Sequence, residues 1–119
     1  MAGTVTIYGI RNCDTMKKAR AWLDKRGVEY RFHDYKSEGI GRARLETWAK
    51  ALGWETILNR AGTTFRKLPE KDKDKLTEKK AIKLMLDQPS MIKRPVLEAK
   101  GKTLAGFKPE TYAALFKGT

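Results

Sequence analysis

A single cysteine is the residue of this sequence best suited to covalent chemistry. Cys13 follows the β-branched run Thr4–Tyr8 and precedes a stretch with helical periodicity that begins at Asp14. At the start of a helix, unpaired N–H groups and the positive end of the helix dipole stabilise a negative charge. Thiols at such positions have pKa values of about 3.5–7.5 instead of about 8.5. The position therefore favours a reactive thiolate over the inert, space-filling thiol that an isolated cysteine more often is.

No second cysteine is present to complete a redox cycle. Met16 occupies the position where a C-x-x-C motif would have its other cysteine, and Cys13 is the only cysteine in the sequence. A mixed disulfide or sulfenic acid formed on Cys13 must therefore be reduced by an external thiol, most simply glutathione. One cysteine and one histidine also cannot supply the usual ligands of a zinc site. We expect no metal and no permanently bound cofactor, and glutathione as a co-substrate.

Three cationic residues are candidates for holding an anion near the thiolate. Arg94 precedes Pro95, and a cis bond there would aim Arg94 at the site; the alternative is an ordinary strand-starting proline beside a solvated arginine. Arg60 follows Asn59 in a predicted loop, where it is either an anion ligand or a plain surface cation. Lys108 directly precedes the last predicted helix and could face the same cleft.

The whole chain is strongly basic. It has 26 lysines and arginines against 14 acidic residues, which gives a net charge of +12 and a pI near 10.0. A basic surface suits polyanions or small acidic ligands, but the segment Glu70–Lys75 alternates in sign as a solvated face does. No nucleic-acid recognition motif accompanies the charge. We therefore do not expect nucleic-acid binding as the main role.

Length and hydropathy indicate a small globular domain. The 119 residues contain no apolar run of the ~20 residues that a membrane-spanning helix needs. The segment Met1–Thr4 lacks the basic flank and the long apolar stretch of a signal peptide. The length fits one domain with a single hydrophobic core. We expect a soluble, cytoplasmic monomer without membrane contact.

The residues on either side of Cys13 predict a β-α-β opening. Strands are predicted at Thr4–Tyr8 and Val28–Phe32 from their β-branched and alternating patterns. The helix between them is predicted to begin with Asp14 or Thr15 as its N-cap and to end at Gly27. A right-handed crossover would make the two strands parallel members of one sheet.

The middle of the chain has the periodicity of helices, and its last part that of a hairpin followed by a helix. After a linker at Ser37–Gly41, helical segments are predicted at Arg42–Leu52, Trp54–Leu58, Thr63–Leu68 and Thr77–Leu86. Antiparallel strands are predicted at Pro95–Glu98 and Lys102–Ala105, with a last helix at Glu110–Phe116 that Pro109 opens. This order indicates a small α/β protein with a helical insert.

Residues Ile7–Ala19, which read IYGIRNCDTMKKA, resemble the active loop of the ArsC/Spx family of arsenate-reductase-like proteins, and within it the YffB-like branch. Arg60, the segment Met91–Val96 (MIKRPV) and the segment Gly106–Glu110 (GFKPE) follow in the family's order and spacing. The resemblance covers nearly the whole chain. It implies an α/β, thioredoxin-like fold with a four-stranded mixed sheet flanked by helices, and a cis proline at Pro95.

The same resemblance implies a domain plan and a set of site residues. A single ArsC-like domain would span residues 1–119, with a thioredoxin-like core at 1–36 and 89–119 around a helical insert at 37–88. Cys13 would be the nucleophile used with glutathione, and Arg60 and Arg94 would bind an oxyanion or stabilise the thiolate. The implied substrate- or glutathione-binding residues are Asn12, Asp14, Thr15, Lys17, Arg60, Arg94, Pro95 and Lys108. The implied partners are glutathione, glutaredoxin and an oxidised thiol or oxyanion substrate.

Two departures from the glutathione-dependent arsenate reductases bear on the substrate. Lys108 stands at the place of a third arginine, and an ammonium lacks the planar fork that grips an oxyanion. The loop after Cys13 differs from Cys-Gly-Thr-Ser-Arg, and Tyr8-Gly9 stands where those enzymes have His-Asn. The leading hypothesis is an enzyme, a glutathione-dependent thiol reductase. The alternatives are a true arsenate reductase coupled to glutathione and glutaredoxin, and a non-enzymatic, Spx-like adaptor that binds RNA polymerase.

Overall fold

The structure is a computed structural model that describes residues 5–11 and 13–117, and the chain divides into two units. The first, called here the sheet unit, comprises residues 1–34 and 94–119. The second, the helical unit, is the continuous stretch Tyr35–Lys93. Among the described residues, no helix combines the length and the apolar character needed to cross a membrane.

The sheet unit contains a four-stranded mixed sheet in the order β2-β1-β3-β4. Its strands are β1 (Thr6–Gly9), β2 (Arg31–Asp34), β3 (Val96–Ala99) and β4 (Lys102–Ala105). β1 runs parallel to β2 and antiparallel to β3, and β3 runs antiparallel to β4. The predicted crossover and the predicted hairpin are confirmed, and so is the fold class, a thioredoxin-like mixed sheet flanked by helices.

The helices of the described residues comprise four longer helices and four single-turn helices of four residues each. In chain order they are α1 (Asp14–Lys25), α2 (Tyr35–Glu38), α3 (Arg42–Leu52), α4 (Trp54–Ile57), α5 (Thr63–Arg66), α6 (Glu70–Lys73), α7 (Glu78–Asp87) and α8 (Pro109–Leu115). A 3₁₀ turn at Pro89–Met91 follows α7. The helices α2–α7 and this turn make up the helical unit, whose fully buried side chains include Leu45, Trp48, Ile57 and Met85.

Two helices pack on one face of the sheet. Side chains from α1 and α8 form a core with those of β1 and β3; its buried members are Ile7, Met16, Ala19, Leu23, Leu97, Ala99, Tyr112 and Phe116. Each large apolar side chain buried in such a core contributes about 1.5–3 kcal/mol. Cys13 packs against this cluster from its edge, so the core of the sheet unit also fixes the start of α1.

The second strand begins later than predicted, because the residues before it complete the end of α1. A strand was expected from Val28, but β2 starts at Arg31. Gly27 adopts a φ of +72°, and its N–H and that of Val28 donate to the carbonyls of Asp24 (3.1 Å) and Leu23 (3.0 Å). These are the two hydrogen bonds of a Schellman motif. The amide of Val28 is therefore used by the helix cap instead of the sheet.

Two single-turn helices lie in segments that were not assigned to helices from the sequence. α2 covers the first two residues of the predicted linker Ser37–Gly41. α6 occupies the alternating segment Glu70–Lys75, where the ammonium of Lys73 lies 3.4 Å from the carboxylate of Glu70 and donates to the carbonyl of Arg66 at 3.2 Å. The charge alternation thus provides an i,i+3 ion pair that a single helical turn can form.

Candidate active site

Three loops leave the mixed sheet at the same end. β1 and the parallel β2 end there, and β3 begins there and β4 ends there, since Tyr8 pairs with Val96 and Val96 pairs with Ala105. Three of the predicted site residues follow or precede these strand ends: Cys13, Arg94 and Lys108. Strand order therefore gathers residues that are about 80 to 95 positions apart in the sequence into one part of the sheet unit.

Cys13 is the N-cap residue of α1. Its backbone is extended (φ −125°, ψ 128°), and its carbonyl accepts the first helical hydrogen bond, from the N–H of Lys17 at 2.9 Å. The prediction that Asp14 or Thr15 caps this helix is wrong, because Asp14 is already its first helical residue. Among the described residues, no side chain accepts a capping hydrogen bond at this helix start. The sulfur therefore occupies the place of a capping oxygen, beside unpaired N–H groups.

The surroundings of Cys13 lower the pKa of its thiol from the ordinary value. Partial burial is the largest single influence and raises this pKa, but it is outweighed by the N–H of Met16, the guanidinium of Arg94 and the N–H of Thr15. Arg94 acts both as a hydrogen-bond donor and as a positive charge. The N–H groups of Met16 and Thr15 are the donors that a capping side chain uses, and here they favour the ionised sulfur. The arrangement stabilises a partly exposed thiolate.

The first turn of α1 is positioned by close packing against the end of β1. A Cβ atom on Gly9 would overlap the sulfur of Met16 and would lie 2.8 Å from its methyl carbon. Met16 is completely buried, so its side chain has little room to move aside. The position where a C-x-x-C motif would have its second cysteine is thus used for core packing. Gly9 and Met16 together fix how far Cys13 lies from the sheet.

Arg94 contacts the thiolate from the segment that leads into β3. The Arg94–Pro95 peptide bond is cis, as the family resemblance implies, and Pro95 is buried. The carbonyl of Pro95 accepts a hydrogen bond from the N–H of Gly106 at 2.8 Å, which joins the segment before β3 to the loop after β4. Lys108, further along that loop, is the exposed N-cap residue of α8. The structure brings Arg94 and Cys13 together; the catalytic role of Arg94 and the binding role of Lys108 stay predictions.

The remaining predicted site residues fall into three groups. Asp14, Thr15 and Lys17 lie in the first turns of α1 with exposed side chains. Asn12 lies outside the residues that the structure describes. Arg60 belongs to the helical unit, where it is exposed in the loop between α4 and α5. The roles predicted for these five side chains in binding or catalysis stay predictions.

Two side-chain groupings were not identified from the sequence. The hydroxyl of Tyr8 donates to a carboxylate oxygen of Glu98 at 2.7 Å, and its ring lies 4.9 Å from that of His33. The register of the β1, β2 and β3 pairs is the signal that brings these residues together. In the helical unit, the guanidinium carbon of Arg60 lies over the ring of Trp54, 5.3 Å from its centroid. The only sequence signal for this contact is that Trp54 and Arg60 are close in the chain, Trp54 in α4 and Arg60 in the loop that follows it.

The chemistry that Cys13 and Arg94 can perform is nucleophilic attack by sulfur. A thiolate held partly exposed beside a guanidinium can attack an electrophilic sulfur or a bound oxyanion, and the guanidinium can hold the anionic partner. Within residues 5–11 and 13–117, no group of three His, Cys, Asp or Glu side chains is placed to hold a metal ion.

A family comparison agrees with this arrangement. A sequence model described as the ArsC family matches residues 8–115. The chain belongs to the ArsC family. The match includes Cys13, Arg60, Arg94 and Lys108, and it confirms the resemblance that the active-loop motif indicated.

Solved structures of ArsC-like proteins are similar over nearly the whole chain. The YFFB (PA3664) protein is 65% identical with a TM-score of 0.91, over 93% of this chain and 97% of that chain. An arsenate reductase (ArsC) related protein from Brucella melitensis is 58% identical with a TM-score of 0.77, over 97% of this chain and 96% of that chain. Among curated relatives, the global transcriptional regulator Spx of Streptococcus mutans is 29% identical over 115 residues, which cover 92% of this chain and 81% of the regulator. The ArsC-family fold is thus shared by proteins with enzymatic and with regulatory names.

Proposed function

We propose that this ArsC-family protein is a glutathione-dependent thiol reductase with Cys13 as its nucleophile. The observation that supports it most is the Cys13 thiol at an uncapped helix start, whose pKa is low despite burial because of the helix N–H groups and Arg94. A chain with one cysteine needs an external thiol to release any group bound covalently to that sulfur. Glutathione supplies this thiol, and its carboxylates supply negative charge for nearby cations.

The first half-reaction transfers a glutathionyl group to Cys13. The Cys13 thiolate attacks the glutathione sulfur of a mixed disulfide between glutathione and a substrate thiol. A disulfide bond forms between Cys13 and glutathione, and the substrate sulfur leaves with the electron pair of the broken bond and takes a proton from water. Arg94 contributes before this step, because its guanidinium keeps the attacking sulfur ionised.

The second half-reaction restores the enzyme. A second glutathione, as its thiolate, attacks the glutathionyl sulfur bound to Cys13, and the Cys13 thiolate leaves. The low pKa of Cys13 favours this departure, because a more acidic thiol is a better leaving group. In sum, one glutathionylated thiol and one glutathione become one free thiol and one glutathione disulfide. No cysteine at position 16 competes for this step, since that position is Met16.

Cations assist by attracting and holding anionic groups. The net charge of +12 favours the approach of negatively charged glutathione. Arg94 is the cation in contact with the thiolate, and we propose Arg60 and Lys108 as ligands for carboxylate or oxyanion groups of the bound molecules. We further propose that the protein acts as a cytoplasmic monomer, with glutaredoxin as a partner that can accept the glutathionyl group.

Mass spectrometry after incubation with oxidised glutathione tests the proposal. Wild-type protein should gain the mass of one glutathionyl group, and the Cys13→Ser protein should gain none. The rate should exceed that measured with the neutral bis(2-hydroxyethyl) disulfide, because only glutathione offers carboxylates to the cations. Absence of an adduct on the wild-type protein would exclude the proposed reaction.

Arsenate reduction is a second candidate, and the Brucella melitensis protein named as arsenate reductase related supports it. Here the Cys13 thiolate would bond to arsenic with loss of hydroxide, and two glutathione molecules would become a disulfide as arsenate becomes arsenite and water. Turnover with glutathione and glutaredoxin tests this, and a rate equal to that of Cys13→Ser would remove it. If arsenate is the substrate, Lys108→Arg should increase turnover, because a guanidinium can grip an oxyanion with two parallel hydrogen bonds.

A regulatory role is a third candidate, supported by the similarity to the Spx regulator of Streptococcus mutans. The absence of a second cysteine at Met16 argues against a disulfide switch but not against binding a partner. A pull-down with purified RNA polymerase tests it. Equal retention by the wild-type and Cys13→Ser proteins, without any glutathione adduct on the wild type, would favour the adaptor over both enzymes.

A further inference from the structure

Arg60, an exposed residue of the helical unit, contacts an aromatic ring of the same unit. The guanidinium carbon of Arg60 lies 5.3 Å from the centroid of the Trp54 ring, within the distance of an attractive cation–π contact. The Trp54 side chain is partly buried, whereas Arg60 is exposed. Over the part of the chain that the structure describes, no carboxylate pairs with this guanidinium and no hydrogen bond uses its N–H groups. Among the described residues, the indole ring is thus the side-chain contact that positions this guanidinium.

The backbone around Arg60 is fixed as well. The N–H of Asn59 donates to the carbonyl of Met91 at 2.7 Å, which ties the residue before Arg60 to the end of the 3₁₀ turn. On the other side, a Cβ atom on Gly62 would lie 2.8 Å from the amide nitrogen of the Asn59 side chain. The Asn59 side chain therefore lies against Gly62, on the far side of Arg60 in the same loop. Arg60 projects from a short, pinned loop.

Contact with a neutral ring positions a guanidinium without neutralising its charge. A carboxylate partner would neutralise Arg60 and occupy its donors, whereas an indole face leaves the N–H groups at the edge of the plane free to bind two oxygens in parallel. Holding the side chain in place beforehand also reduces the rotamer entropy that is lost when an anion binds. Both effects suit a ligand with a carboxylate or an oxyanion.

We propose that Trp54 is a positioning residue that presents Arg60 as a preorganised ligand for a carboxylate or oxyanion. Two observations support this: the contact between the Arg60 guanidinium and the Trp54 ring, and the N–H groups of Arg60 that make no hydrogen bond to the described residues. The nature of the anion rests on the proposed function: it is a carboxylate of glutathione or an oxyanion substrate. Trp54 touches neither and acts through Arg60.

NMR of the Arg60 side chain tests the stack and the anion binding together. In the wild-type protein, the ring current of Trp54 should shift the Arg60 side-chain resonances, and the Trp54→Leu variant should lose this shift. S-methylglutathione and inorganic phosphate, titrated separately, distinguish the two anion sources: the resonances should move with the first if a carboxylate binds and with the second if an oxyanion binds. Affinity for the effective anion should weaken about two- to fivefold in Trp54→Leu.

Further variants separate positioning from a merely structural role. Trp54→Phe keeps a ring and should restore most of the affinity, while Arg66→Ala, which removes a charge elsewhere in the helical unit, should change it little. In an Arg60→Leu background, where backbone amide resonances report binding, Trp54→Leu should have no further effect on anion affinity. Additive losses in the double variant, or an Arg60 resonance that neither anion moves, would overturn the inference.

The outcome for the proposed function is separate. If Cys13 still gains a glutathionyl group in that case, the proposed function stands. If Cys13 gains none while phosphate moves the Arg60 resonances, only the proposed function fails.

Discussion

The N-termini of α1 and α7 use the same backbone arrangement for different purposes. In α7, the hydroxyl of the N-cap residue Thr77 accepts a hydrogen bond from the N–H of Lys80 at 3.3 Å. In α1, Cys13 has a similarly extended backbone at the N-cap, but no capping side-chain hydrogen bond forms. One helix start therefore uses its unpaired N–H groups for stability, and the other leaves them to stabilise a thiolate. The comparison indicates that the N–H groups that no side-chain oxygen caps at the start of α1 help to lower the pKa of Cys13.

The Cys13→Ser variant should make the two helix starts alike. A serine hydroxyl can accept the capping hydrogen bond that the protonated thiol does not, so the variant should be more stable than the wild type by about 0.5–1 kcal/mol at acid pH. At the same time it should lose glutathionylation completely. Urea unfolding and mass spectrometry measure the two effects. If the variant is less stable than the wild type, the packing of the Cys13 side chain contributes more to stability than a serine cap would.

The Arg94→Gln variant separates the guanidinium from the helix dipoles. Burial of the thiol would then be opposed by the N–H groups of Met16 and Thr15 alone, so the pKa of Cys13 should rise. Alkylation by iodoacetamide should slow severalfold at neutral pH, and its pH profile should move to higher pH. Lys93→Ala is the matched control, because it removes the same charge one residue away. A profile that moves equally in both variants would show a general charge effect in place of the contact.

The Arg94→Gln variant should also change how the stability of the protein depends on pH. Because the pKa of the Cys13 thiol is lower in the folded protein, its ionisation stabilises the fold fully above the unfolded value of about 8.5. This contribution is lost as the pH falls through the folded pKa. The stability difference between the wild type and Arg94→Gln should therefore be larger at pH 9 than at pH 5. Urea unfolding at the two pH values measures it, and a difference that grows toward acid pH would contradict the assigned cause.

The elements around Cys13 could largely be predicted from the sequence, whereas the hydrogen bonds at their ends could not. The crossover and the hairpin follow from local alternation and turn residues, and both are confirmed. The wrong N-cap at Asp14 or Thr15 arose because aspartate and threonine are preferred caps, and no residue preference predicts a sulfur there. The late start of β2 depends on the Schellman hydrogen bond of Val28, which competes with strand pairing.

The candidate site was predictable only in part, for a similar reason. A thiol at a helix start can be read from the order of strand, loop and helix, and its contact with Arg94 follows from strand order once the sheet is known. The contact of Trp54 with Arg60 depends on the path of the loop between α4 and α5. Side-chain contacts of that kind have no periodicity that a sequence pattern could reveal.

Placing a thiol at the other helix start sharpens the comparison. In a Cys13→Ser background, Thr77→Cys would have the N–H groups of α7 beside it but not the Arg94 contact. Its iodoacetamide reactivity at neutral pH should exceed that of a free thiol and remain below that of Cys13, because the helix field alone contributes less than the field and a guanidinium together. Reactivity equal to that of Cys13 would show that Arg94 does no more than offset the burial of the Cys13 thiol.

The smallest expected effect concerns the cap of α7 itself. Thr77→Ala removes the acceptor for the N–H of Lys80 and should destabilise the protein by about 1 kcal/mol, measured by urea unfolding. Thr47→Ala is the matched control, because the hydroxyl of Thr47 donates to the carbonyl of Ala43 at 2.9 Å within α3. That bond lies in the helix interior, where alanine is the better helix former, so the control should be neutral or slightly stabilising. Equal losses at both positions would mean that the hydroxyl of Thr77 is not acting as a cap, and the contrast with Cys13 would lose its basis.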